Sequence, residues 1–100
     1  MSVRMFRASI KPEHVADMEA AGKELFAAIE AAQPQGVRYS WCKLADEGSY
    51  LLVVDLEDDA ANPLAGIPAF GAVMGELKGK WAAQPLTMEQ LTPIGSYGLF

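Results

Sequence analysis

In the opening stretch "SVRMFRASI", Val3 and Met5 fall on one face of an extended chain while Phe6, Ala8 and Ile10 fall on the other. Apolar side chains on both parities predict a strand covered on both sides for much of its length. The period then changes. In "KPEHVADMEAAGKELFAAIEAAQ", Val15, Met18, Gly22, Leu25 and Ile29 recur at steps of three and four, the spacing of one helical face. Pro12 suits a first helical turn and Glu13 is favourable beside the positive N-terminal end. Pro34 and Gly36 in "QPQG" end the helix.

Two more strands are predicted at "VRYSWCKL" and "SYLLVVDLE", joined by "ADEG", whose residue types form turns. With residues 45–48 as the loop, Leu44 faces Ser49 and Arg38 faces Asp55, an opposite-charge cross-strand pair. That register collects Val37, Tyr39, Trp41, Leu52, Val54 and Leu56 on one face, with Ser40, Cys42, Leu44, Leu51 and Val53 on the other. A loop one residue longer or shorter would exchange the partners. "DDAANPLAGIP" carries turn formers without a period and reads as a loop. "PAFGAVMGELKGKW" predicts a second helix with Phe70, Val73 or Met74, Leu77 and Trp81 on one side. Gly71, Gly75 and Gly79 weaken it by about 1 kcal/mol each relative to alanine, which fits either close approach of another backbone or a mobile lid. The capping-box spacing of Thr87 and Gln90 reads "PLTMEQL" as one more helical turn, and the alternation of "TPIGSYGLF" reads as a last strand.

No repeat or linker divides residues 1–100, so a single domain is expected. The order β-α-β-β-α-β is that of an α+β, ferredoxin-like fold, a four-stranded antiparallel sheet with both helices on one face. The helices are assigned to the face with Val37, Tyr39 and Trp41, the more continuously apolar one. The other face also carries large apolar groups, and covering it is favourable at roughly 25 cal/mol per Å². A homodimer packed sheet to sheet is therefore expected.

Composition narrows the class. Apolar residues form 51% of the 100 residues and charged ones 21%, which fits a globular chain. Eight basic residues against thirteen acidic ones give a net charge of -5 without a basic stripe, which argues against nucleic acid or an anionic membrane as partner. The opening residues are too short and too charged for a signal or spanning helix. A soluble, cytoplasmic protein is the resulting expectation. The lone Cys42 cannot form an intrachain disulfide and reads as a small core residue. Neither HxxxH nor CxxC occurs, "EDD" at residues 57–59 reads as a solvated turn, and no glycine-rich phosphate loop follows a strand. Metal and nucleotide cofactors are thus not expected.

The "RMFRASIKPEHVADMEAA" opening, the aromatic strand "RYSWCKL", the apolar third strand and the helix "PAFGAVMGELKGKW" together resemble the dimeric α+β barrel superfamily. Within it they resemble the small antibiotic biosynthesis monooxygenase-like proteins. The resemblance implies a pocket between sheet and helices in which O₂ oxidises an aromatic polyketide or quinol without metal or flavin. The protein then supplies an apolar slot, a base and donors for developing oxyanions. Its haem-degrading relatives need a histidine on the second helix, which this chain lacks. The alternative is a non-catalytic homodimer that binds a small hydrophobic ligand, or merely has the fold, since fold alone does not fix function.

On that resemblance Tyr39 and Trp41, which share a parity, and His14, the only histidine, are the candidate catalytic residues. Phe6, Tyr50, Phe70, Met74 and Trp81 are the candidate substrate contacts. Each has a plainer reading. Tyr39, Trp41 and Trp81 could be core or dimer packing. Tyr50, like Tyr97, sits at a strand end or near the terminus. His14, in the first helical turn, is a proton acceptor on the catalytic reading or merely a surface residue.

Overall fold

The computed structural model describes residues 2–46, 48–58 and 61–98. Strand β1 is Ser2–Ser9, β2 Val37–Lys43, β3 Ser49–Leu56 and β4 Thr87–Leu91, in the sheet order β2-β3-β1-β4 with antiparallel neighbours throughout. Helix α1 is Val15–Ala32, entered through a 3₁₀ turn at Pro12–His14, and α2 is Pro68–Glu76. The architecture is the ferredoxin-like β-α-β-β-α-β arrangement expected from the sequence.

Local chemistry accounts for the element ends. Pro12 opens the 3₁₀ turn, where its missing N–H costs nothing. Gln33 ends α1 in the left-handed region (φ 46°), with its N–H returned to the Ile29 carbonyl. Gly36 then takes φ 79°, which an L side chain resists, and turns the chain into β2. The hairpin register is the one expected, with Arg38 opposite Asp55 and the Leu44 N–H donated to the Ser49 carbonyl.

Helices cover the face that carries Phe6, Ala8, Tyr39, Trp41, Tyr50, Leu52, Val54 and Leu56. The core beneath them has two parts. One joins Ala8, Ile10, Met18, Tyr50, Leu52, Leu77 and Trp81; the other joins Val54, Leu56, Leu64 and Ile67. Phe6 packs against both. The helix-free face bears Met5, Leu51 and Val53, each partly exposed, and the exposed Leu91. Cys42 lies there too and is exposed, so the expectation of a core thiol fails within the single chain.

Three further expectations are corrected. "PLTMEQL" contains β4 and not a helical turn: Thr87 and Gln90 pair with Arg7 and Arg4 across the edge of β1 instead of capping a helix. "TPIGSYGLF" is irregular over residues 92–98, with Ile94 98% exposed and Tyr97 fully so; Leu99 and Phe100, its last two positions, lie outside the described residues. The loop after β3 holds a 3₁₀ turn, Pro63–Gly66, capped by Asn62 Oδ1, which accepts the Leu64 N–H at 3.0 Å.

After α2 the backbone widens into a π turn over Leu77–Trp81, with the Ala82 N–H donated to the Leu77 carbonyl. This keeps both Leu77 and Trp81 inward and carries Lys78 between them. The glycine series of α2 and the π turn borders open space, since a Cβ at Gly71, Gly75 or Gly79 would meet nothing within 4 Å. Close backbone approach therefore does not explain it within the chain.

Candidate functional site

Between the sheet and α2 runs a slot of about 280 Å³, near the lower end of the size range of small-molecule pockets. Its walls are built element by element. The helix-facing parity of β1 supplies Arg4 and Phe6, β2 supplies Tyr39, and β3 supplies Leu52, Val54 and Leu56. Asn62 and Leu64 close one side from the capped 3₁₀ turn; α2 adds Phe70 and Met74, and the π turn adds Lys78. The slot occupies the gap between the two parts of the core. Four of the candidates named from sequence, Phe6, Tyr39, Phe70 and Met74, are brought together here.

Tyr39 is the best-positioned polar group among the aromatic side chains. Its ring stacks on Phe26 of α1 (centroids 5.5 Å apart, 25° between planes) and meets Phe70 of α2 edge to face (5.8 Å, 69°). Its oxygen accepts the Trp41 Nε1–H at 2.8 Å. Burial pushes the phenol up to about 12, against the lowering effect of that hydrogen bond. Trp41 itself does not line the slot. It lies on α1, edge to face with Phe26 (5.9 Å), over Gly22, where an added Cβ would come within 2.8 Å of the indole. Trp41 thus reaches the slot only through its hydrogen bond to the Tyr39 oxygen.

The remaining candidates sit elsewhere. Tyr50 is buried and donates its O–H to Glu19 Oε2 at 2.6 Å; the same oxygen accepts from Lys43 Nζ at 2.8 Å. Burial, then the bond to Glu19 and its charge, raise Tyr50 to about 12, while the bonds from Lys43 and then Tyr50 hold Glu19 below its ordinary value. Trp81 is a core residue beside Tyr50 and Leu77. His14, between the 3₁₀ turn and α1, has Nδ1 3.0 Å from Asp17 Oδ2 and does not line the slot. Among the described residues no group of three or more His, Cys, Asp or Glu side chains is placed to hold a metal ion, and no helix is long and apolar enough to cross a membrane.

Several site residues were not singled out from the sequence. Phe26 follows Gly22 by one helical turn, and that spacing was the available signal. Arg4 shares its parity with Phe6. Asn62 and Lys78 carry no local signal, because a loop cap and a helix irregularity bring them to the slot.

Tyr39 and Leu64 also form part of a wider groove of about 650 Å³ lined by Phe26, Ile29, Gln33 and Pro34 among others. They are the shared wall between groove and slot.

No family model matches the chain, and no curated protein does. Solved structures do. A candidate antibiotic biosynthesis monooxygenase from Caulobacter crescentus superposes with a TM-score of 0.73 at 22% identity, covering 94% of this chain and 90% of its own. Another antibiotic biosynthesis monooxygenase gives 0.76 at 17% identity, over 95% of this chain and all of that one. A Nitrosomonas europaea protein of unknown function gives 0.72 at 14% identity, over 96% and 92%. The chain therefore has, nearly end to end, the ferredoxin-like fold of these antibiotic biosynthesis monooxygenase structures.

Proposed function

We propose that the chain is a monooxygenase that oxidises a small aromatic or quinonoid compound with O₂, without metal or flavin. The observation that carries this reading is the slot: apolar, walled by Phe6, Tyr39, Phe70 and Met74, and sized for a compact ring system. The fold shared with monooxygenase-named structures supports it. In such a reaction a ring CH₂ becomes C=O. One oxygen atom of O₂ enters the carbon, the other leaves as water with the two hydrogens, and no outside reductant is needed. The chain contributes a largely apolar cavity and the Tyr39 O–H, a donor for the oxygen on which negative charge develops. Two copies packed through the helix-free sheet face complete the proposal, supported by the partly exposed Met5, Leu51 and Val53. The assembled protein would act in the cytoplasm.

Oxygen uptake by metal-free protein supplied with an anthrone is the test. Uptake that depends on both protein and anthrone, with the anthraquinone as product, is expected. Tyr39→Phe keeps both ring contacts and should lower turnover about a hundredfold. The absence of uptake above the protein-free rate across a panel of anthrones and hydroquinones, with thermal stabilisation by the same compounds, would instead establish a non-catalytic ligand-binding protein.

A further inference from the structure

We propose that Trp41 is a positioning residue for the slot: its indole N–H occupies the Tyr39 oxygen and so commits the phenol to donating, which selects ligands that present a carbonyl or other acceptor to Tyr39 over ligands that present an N–H. The proposal rests on the slot being a site for small aromatic ligands and concerns the wall of it that Tyr39 forms.

Tyr39 and Trp41 stand two residues apart on β2, so both leave the same face of the sheet. Their surroundings differ. Tyr39 lines the slot, whereas the Trp41 ring lies on α1 beside Gly22 and Phe26. An indole nitrogen has a hydrogen to give and no lone pair to offer, so the 2.8 Å bond between Nε1 and the phenol oxygen has one possible direction. A phenol elsewhere donates or accepts by turning its hydrogen. Here the side of the oxygen that faces Trp41 is taken, and the phenol hydrogen points away from it, since two hydrogens cannot occupy one line.

Packing keeps the two partners in place. The Tyr39 ring is held between Phe26 and Phe70, with centroids 5.5 and 5.8 Å away, and the Trp41 ring meets the same Phe26 at 5.9 Å. Gly22 leaves room for the indole where any Cβ would stand 2.8 Å from it. One turn of α1 thus seats both ends of the bond. The bond also polarises the phenol: an N–H on the oxygen strengthens the O–H as a donor. Burial raises the phenol to about 12, and the Trp41 N–H opposes that rise by favouring charge on the oxygen. The gain is largest when the ligand atom facing Tyr39 turns anionic, in a transition state more than in the bound ground state.

1-Indanone and indole are bicycles of nearly one size; the first only accepts hydrogen bonds and the second only donates them. Calorimetric titration should show 1-indanone favoured over indole. The ratio of their affinities should fall at least about fivefold in Trp41→Phe, which keeps a ring beside Gly22 and frees the phenol oxygen. In a Tyr39→Phe background the same substitution should leave the ratio unchanged. A ratio equal in the parent and Trp41→Phe overturns the proposal, as does an equal fall in both backgrounds, the result that a purely structural Trp41 gives. The parent protein supplies a further readout. Its Trp41 indole N–H resonance should move downfield when 1-indanone binds, because an O–H that donates makes its oxygen a better acceptor; a resonance unmoved at saturation overturns the proposal. With anthrone as substrate, Trp41→Phe should lower kcat about tenfold at a nearly unchanged KM and cost nothing further in Tyr39→Phe. An active protein whose kcat ignores the substitution overturns it too. Because the titrations read binding, the affinity ratio and its loss in a protein that consumes no oxygen would reject the monooxygenase and leave the role of Trp41 standing.

Discussion

Single contacts carry much of the organisation around Tyr39. Gly22 is the clearest case: alanine is intrinsically better in a helix by about 1 kcal/mol, yet a Cβ at this position would stand 2.8 Å from the Trp41 ring. The ring is rigid and cannot retreat as a flexible chain end would. Gly22→Ala should therefore destabilise by about 1–3 kcal/mol in urea unfolding, and the loss should largely vanish in a Trp41→Leu background, a coupling that a double-mutant cycle reads directly. The two buried tyrosines make a second residue-scale prediction. Both phenols are raised from 10 to about 12, so folding favours their neutral forms. That stabilisation is complete below about pH 10 and fades as pH rises towards about 12. Melting temperatures followed across this window should fall, and should fall less steeply in Tyr50→Phe, which has no proton to lose at that position.

At the scale of elements, the parts with a strong period were legible in the sequence and those held by pairing alone were not. α1, β2 and β3 repeat apolar positions at helical or alternating spacing, and the structure follows them to within a residue or two. β4 has no such pattern. Its "TMEQL" becomes a strand because the free edge of β1 supplies partners for its backbone, and all five side chains remain exposed. Tertiary pairing thus overrides a capping-box spacing that is real but unused. The glycines of α2 yield a different prediction. With open space around each Cβ position, Gly75→Ala should stabilise the chain by about 0.5–1 kcal/mol through helix propensity and a less disordered unfolded state. Slower hydrogen exchange in α2 than in the parent protein is the local readout, and a destabilised variant would show that something packs there in solution.

For the whole molecule, the proposed dimer and the slot use different faces of one sheet. The helix-free face should carry the dimer: Val53→Glu places a charge among Met5, Leu51 and Leu91 and should convert a dimeric mass into a monomeric one by light scattering, with helix content retained. A parent protein already monomeric at micromolar concentration would refute the sheet-to-sheet packing. The apolar half of the slot was legible because Phe6, Tyr39, Phe70 and Met74 follow the periods of their elements. Its polar rim was not, because Arg4, Asn62 and Lys78 come from a strand, a loop and a π turn that only the folded chain brings together. The wall of Tyr39 and Leu64 between the slot and the wider groove has a consequence for ligand size. If the slot binds the proposed ligand, a compact molecule would fit behind this wall, whereas one long enough to reach both spaces would have to turn the Tyr39 ring aside and break its bond with Trp41. On the proposed function the wall would act as a ruler for ligand length, and a ligand exceeding the limit should report itself as a change in tryptophan fluorescence.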